Sequence, residues 1–155
     1  MINQKFLEKL SDRNPEERIN AILRLQAYYG AEAVESICTM LNDLDYGVRT
    51  QAIGALIQLA DGRAVEPLIT ALDVTRRKLR NFADRKNLGM PVDGVQEVKE
   101  AVFMSGVINA LGRIGDLRAE AVLGAVVKES LWGDDDEEAA RALEAIRKRA
   151  GHGKK

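Results

Sequence analysis

The chain repeats its own residue pattern with a period of 31 residues. Arg18 and Leu25 recur as Arg49 and Leu56, and the positions between and beyond them match in the same way. A period of 30 to 45 residues is typical of proteins built from stacked helical hairpins, in which each hairpin buries its apolar face only against its neighbours. The repeat therefore predicts an all-α chain that elongates by adding hairpins.

A third copy of the pattern begins later than the period requires. Asp61 and Arg63 recur as Asp116 and Arg118, which lie 55 positions further along the chain. The excess over 31 residues is an insertion of about 24 residues between the second and third copies. The repeat itself does not explain this insertion.

Helix-start signals agree with the repeat. Asn14 and Asp45 stand at N-cap positions, and Pro15 occupies a first helical position, where a missing N–H costs nothing. Pro67 requires that the second helix of its pair begin near Arg63. We therefore expect a first helix from about Pro15 to Tyr28 and a second helix in the same pair from about residue 32 to residue 41.

These signals define one domain over residues 1–155. Its expected parts are an N-terminal cap at 1–11, repeats at 12–43, 44–73 and 98–129, an inserted helical arm at 74–97, and a C-terminal capping helix at 134–150. Within the helices, Gly54, Gly106 and Gly112 are expected to let neighbouring helices approach closely. The acidic run 134–138 is interpreted as a helix start rather than a cation site.

The second copy carries a family resemblance. Its pattern of Asp45, Val-Arg at 48–49, Ala52, Leu56, Asp61 and Ala-Val at 64–65 resembles the short HEAT repeat first associated with phycobilin lyases. The resemblance implies an α-solenoid with first helices outside and second helices inside. It also implies, as an alternative to a general binding role, an accessory factor or subunit of a bilin-handling complex.

Composition excludes several classes of function. Cys38 is the only cysteine and His152 the only histidine, so the sequence offers no catalytic constellation, no cofactor site and no Cys/His metal site. The net charge of −1 disfavours nucleic acid as a partner. No apolar run is long enough to span a membrane, and a cytoplasmic location is the expectation. A non-enzymatic protein-interaction module or adaptor fits these limits.

The insertion is the first candidate for the binding site. Residues 73–86 contain six basic and two acidic side chains, a local charge of +4, and a turn with exposed apolar residues follows. We expect an ordered arm that contacts an acidic, partly apolar protein surface; a basic helix followed by a flexible loop is the other interpretation. The candidate residues are Arg76, Arg77, Lys78, Arg80, Leu88 and Met90, with the inner-face residues Glu35, Thr39, Glu66 and Thr70 as the second choice.

Overall fold

The computed structural model describes residues 1–130 and 132–152, and within these ranges every regular element is a helix. The α-helices are α1 (Gln4–Lys9), α2 (Pro15–Tyr29), α3 (Val34–Thr39), α4 (Tyr46–Leu59), α5 (Val65–Asn87), α6 (Gly94–Ile114), α7 (Glu120–Glu129) and α8 (Asp135–His152).

The helices form two layers. α2, α4, α6 and α8 pack side by side in one layer, and the shorter α3 and α7 lie with α5 in the other. One continuous apolar core runs between the layers from Leu10 to Ile146. The chain is thus an α-solenoid in which each long first helix packs on the first helix of the preceding pair.

The predicted N-caps are confirmed. The side chain of Asn14 accepts a hydrogen bond from the backbone N–H of Glu16 at 3.0 Å, and Asp45 accepts from the N–H of Val48 at 3.1 Å. Because an N-cap satisfies donors that the first helical turn leaves free, these contacts define where α2 and α4 begin.

The second helix of the first pair is shorter than predicted. The expected helix over residues 32–41 is divided into a 3-10 turn at Gly30–Ala33, the short α3, and a further 3-10 turn at Met40–Asn42. Gly30 has a φ of +50°, which ends α2 abruptly. In the next two pairs an aspartate (Asp61 or Asp116) stands at the equivalent position and caps the 3-10 turn with its side chain.

The insertion forms the ends of two long helices and the short segment that joins them. α5 has 23 residues and α6 has 21, against 10 for α7, so α5 is about 34 Å long where α7 is about 15 Å. The two long helices pack on each other and are joined by residues 88–93. From residue 84 to residue 96 no side chain is buried, and this distal part of the hairpin is therefore solvated on most sides.

Both ends of the core are covered. At the first end, the ring of Phe6 in α1 lies 6.3 Å from the ring of Tyr28 and 5.9 Å from that of Tyr29. At the other end, α8 packs on both α6 and α7 and buries Leu143 and Ile146. α8 continues through Gly151 to residue 152, two residues beyond the end predicted, since a glycine in the last turn costs only about 1 kcal/mol.

The interior glycines differ in what they contact. A Cβ built at Gly112 would lie 3.2 Å from Cβ of Ala142, and one at Gly106 would lie 3.4 Å from Cδ1 of Ile53. These two glycines allow close helix contact, as expected. The expectation for Gly54 is wrong, because a Cβ there would have no atom within 4 Å.

This contrast predicts opposite effects of two substitutions. Gly112→Val is expected to destabilise the protein by about 1 to 3 kcal/mol, because the added methyl groups push α8 away from α6. Gly54→Ala is expected to stabilise it by about 0.5 to 1 kcal/mol through helix propensity alone. Urea unfolding followed by circular dichroism measures both. Equal effects of the two variants would contradict the packing of α8 on α6.

No helix in the described part of the chain is long and apolar enough to cross a membrane.

Candidate functional site

A buried ion pair joins α4 to the base of the long hairpin. Nη2 of Arg49 lies 3.0 Å from Oε1 of Glu100, and the two side chains are only 6% and 2% exposed. Nη1 of Arg49 also donates to the carbonyl oxygen of Asp43 at 3.0 Å, and its guanidinium lies 5.0 Å from the centre of the Phe103 ring. Glu100 further accepts from the side-chain amide of Gln96 at 2.9 Å. Nε of Arg49 is buried without a hydrogen-bond partner, but the other contacts of the pair join α6 to α4 and to the loop before it.

The first repeat contains a simpler version of the same contact. Arg18, 31 residues before Arg49, donates to the carbonyl oxygen of Asp12 at 2.9 Å and pairs with Asp43 through two bonds of 2.7 and 2.8 Å. The position 31 residues after Asp43 is Val74, whose side chain cannot accept a hydrogen bond. Glu100 therefore supplies the carboxylate that the regular repeat would take from its own loop.

In the second repeat, the position that corresponds to Glu100 is a helix N-cap. Fifty-five residues separate Glu100 from Asp45, the N-cap of α4. In the third copy the insertion extends the helix to Gly94, so the position that would cap a helix lies inside one. Its carboxylate is then free to bind Arg49 instead of a helix terminus.

The buried pair predicts a large coupling energy. Arg49→Met and Glu100→Gln are each expected to lower the free energy of unfolding by about 3 kcal/mol, because each leaves a buried charge without its partner. The double variant is expected to cost at least 1 kcal/mol less than the sum of the two. Methionine suits this position, since Met104 occupies it in the third repeat. Additive losses in urea unfolding would contradict a direct role for the pair.

The basic residues predicted as a binding site lie together on α5, but several are neutralised there. Arg76 pairs with Asp73 of its own helix at 2.6 Å and with Glu129 at the end of α7, and Arg80 also contacts Glu129. Arg77 shares Asp73 at 2.6 Å. The positive charge counted along residues 73–86 is thus reduced by carboxylates of other helices.

Arg77, Lys78 and Arg80 nevertheless keep about half or more of their side-chain surface exposed. Arg77 is 72% exposed, and Lys78 is about half exposed, with its Nζ 3.4 Å from both carboxylate oxygens of Glu100. Further along the hairpin, Nζ of Lys86 pairs with the buried Glu97 at 2.6 Å and lies 5.5 Å from the centre of the Trp132 ring. The hairpin is therefore held on both of its flanks, by α4 and by the residues that follow α7.

Several apolar side chains of the hairpin are about half exposed or more. Val95, Val98 and Val102 recur at helical spacing, share one face of α6 and are 50% to 67% exposed. We call these three residues the valine stripe. Leu88 and Met90 in the connecting segment are 75% and 48% exposed. The apolar pattern of α6 continues from these valines to Val107. Its first part is exposed to solvent, whereas Phe103 and Val107 are buried in the core.

The second-helix face holds the second candidate residues and carries a row of ion pairs between successive repeats. We keep the name inner face for it, after the arrangement that the sequence resemblance implies. Arg63 lies 3.7 Å from Glu35, and Arg118 lies 3.4 Å from Glu66. Arg147 of α8 continues the row by pairing with Glu120 at 2.5 Å. The hydroxyl groups of Thr39 and Thr70 donate to carbonyl oxygens of their own helices. Exposed pairs of this kind contribute little stability, but they leave the inner face with balanced charge.

One acidic side chain is buried with no counter-charge in contact among residues 1–130 and 132–152. Asp135, the first residue of α8, is 5% exposed, and its Oδ2 has no hydrogen-bond partner. Burial raises the pKa of Asp135 to about 7, with repulsion from Glu138, Asp136 and Asp134 adding to the effect. The carboxyl group therefore ionises near neutral pH instead of near pH 4.

This raised pKa predicts a loss of stability with rising pH. Between about pH 4 and pH 7 the folded chain keeps a proton that the unfolded chain has lost, so the free energy of unfolding falls through that window and stays low above it. Asp135→Asn is expected to be more stable than the parent by about 1 to 3 kcal/mol at pH 8 and equal to it near pH 4.

Thermal unfolding across pH 4 to 8 measures this difference. The exposed Glu8 on α1, whose charge does not act on Asp135, supplies the control variant Glu8→Gln, which is expected to keep the pH profile of the parent. A parallel profile for Asp135→Asn would show that Asp135 is ionised throughout.

The groups that could support catalysis are sparse. Burial raises the pKa of the Cys38 thiol to about 11, so the thiolate is scarcely populated at neutral pH. Within residues 1–130 and 132–152, no group of three histidine, cysteine, aspartate or glutamate side chains is placed to hold a metal ion. What the surface offers is charge, apolar contact area and a groove beside the hairpin.

Stacked helical hairpins without strands in the described residues define an α-solenoid. The family model that describes HEAT repeats matches residues 3–89, which is more than half of the chain. The chain belongs to the HEAT-repeat family. HEAT repeats generally act as scaffolds for protein interactions and are typically not enzymes. No curated protein matches the chain.

Proposed function

We propose that this HEAT-repeat chain is a non-catalytic protein-interaction module, and that the hairpin of α5 and α6 carries its main contact surface. The observation that carries the proposal is the concentration of exposed apolar side chains on that hairpin. The valine stripe, Leu88 and Met90 are all 48% to 75% exposed and lie within 15 residues of one another. Apolar area of this kind outside a core is typical of a surface that a partner covers.

The charges around the hairpin support a partner with an acidic surface. Residues 73–100 carry seven basic and five acidic side chains, a net charge of +2. Arg77, Lys78 and Arg80 each keep about half or more of their side-chain surface exposed. Charges at the rim of an interface increase the rate of association, whereas the apolar centre retains the partner. Arg76 is only 14% exposed, and we therefore assign it to holding α7 rather than to the partner.

Replacing the valine stripe is expected to weaken binding without unfolding the chain. Glutamine is a good helix former, so the variant Val95→Gln/Val98→Gln/Val102→Gln should keep the helical circular dichroism of the parent. We expect it to recover at least tenfold less of the protein that the parent chain captures from its native host. Leu23→Gln, which changes an exposed apolar residue on α2, serves as the matched control.

Equal capture by the stripe variant and the control would contradict the proposal. The inner face with Glu35, Thr39, Glu66 and Thr70 would then become the surface to test. Recovery of a bilin-carrying protein among the stripe-dependent partners would support the narrower role in bilin handling that the sequence resemblance implies.

A further inference from the structure

A groove runs along the base of the hairpin, on the side that faces α4. It begins as a cavity of about 300 Å³ between the loop at residues 41–44, α5 and α6. A second cavity of about 450 Å³ continues it along the hairpin. The two share Lys78, Gln96 and Glu100 as lining residues, so they form one elongated groove, which we call the stem groove.

Two cationic groups of the stem groove, Lys78 and Arg77, keep about half or more of their side-chain surface exposed. Nζ of Lys78 lies 3.4 Å from each oxygen of Glu100, longer than the 2.7 to 2.9 Å typical of a charge-assisted hydrogen bond. Glu100 already has closer donors in Arg49 and Gln96. The guanidinium of Arg77 pairs with the carboxylate of Asp73, which also pairs with Arg76. Lys78 and Arg77 can therefore accept a further carboxylate without leaving a buried acid unpaired.

The remaining walls suit an extended chain. The ring of Phe82 is half-buried along the second cavity, and Leu44 at the opposite end is 98% exposed. The groove is also lined by the side-chain amides of Asn81 and Gln96, and an amide can both donate and accept hydrogen bonds. The groove thus offers apolar contacts, side-chain amides and cationic groups. This combination suits a peptide with alternating acidic and apolar side chains.

We propose that the stem groove binds an extended acidic segment of a protein partner. The inference rests on the proposed function, because it assumes that the partner is a protein, and it adds a site separate from the valine stripe. A carboxylate of the segment binds between Arg77 and Lys78, apolar side chains contact Phe82 and Leu44, and the amides of Asn81 and Gln96 hold the peptide backbone. The anionic floor formed by Glu100 favours a single carboxylate over the continuous charge of a nucleic acid.

Fluorescence anisotropy with a defined peptide tests the site on the full chain. The probe is a fluorescein-labelled nonapeptide in which glutamate alternates with leucine and phenylalanine. We expect it to bind with a Kd in the micromolar range and the variant Arg77→Gln/Lys78→Gln to weaken binding at least tenfold. The control variant Lys5→Gln/Arg24→Gln removes two exposed charges from α1 and α2 and should leave binding unchanged.

Two further peptides separate the contributions to binding. Glutamine in place of glutamate, or serine in place of the apolar residues, is expected to weaken binding at least tenfold in each case. Equal binding of the parent and Arg77→Gln/Lys78→Gln would overturn the inference, and so would displacement of the peptide by equimolar single-stranded DNA. If the peptide does not bind but the stripe variant still captures less partner, the stem groove is not a binding site. The proposed function is unaffected by that result.

Discussion

The placement of the long hairpin depends on the buried contact between Arg49 and Glu100. Two charged side chains that are 6% and 2% exposed are costly to bury unless each satisfies the other. Here the guanidinium also binds the loop at Asp43 and packs over Phe103, and the carboxylate also binds Gln96. The contact therefore connects the loop before α4, α4 itself and α6, and it determines where the hairpin leaves the solenoid.

The surface around this contact differs from the rest of the solenoid. On the inner face, each repeat forms ion pairs with the next, so that Glu35, Glu66 and Glu120 are all matched by arginines. On the hairpin, Arg77 and Lys78 are matched only in part, and the valine stripe is uncovered. A partner that binds the inner face must break existing pairs, whereas a partner that binds the hairpin finds exposed apolar area and available charge. This difference favours the hairpin as the contact surface.

Local rules explain why much of the fold could be predicted from the sequence. The 31-residue offset and the N-caps at Asn14 and Asp45 are short-range features, and the helices begin where they indicate. The charge state of the hairpin depended on distant residues instead, since Glu129 lies more than 45 positions from Arg76 and Arg80. Counting charge within residues 73–86 therefore overestimated the free positive charge.

The pair of Arg49 and Glu100 was not predicted from the sequence, although the repeat contains a signal for it. Val74 stands where the 31-residue offset calls for an acid like Asp43, and Glu100 stands where the 55-residue offset of the third copy calls for a cap like Asp45. Together these two departures indicate that a carboxylate from the insertion replaces the missing one. The exposure of the valine stripe had no such signal, because helical spacing does not say where the neighbouring helix ends.

Hydrogen exchange across α6 tests most directly whether the buried contact holds the hairpin to the solenoid. The amides around Glu97 to Met104 are expected to exchange through the same global opening as those of α4, because the Arg49–Glu100 contact and the core below it must open together. Protection within about tenfold of that in α4 is the predicted result. Exchange at residues 97–104 that is roughly a hundredfold or more faster than in α4 would show that the hairpin moves independently and would contradict the account.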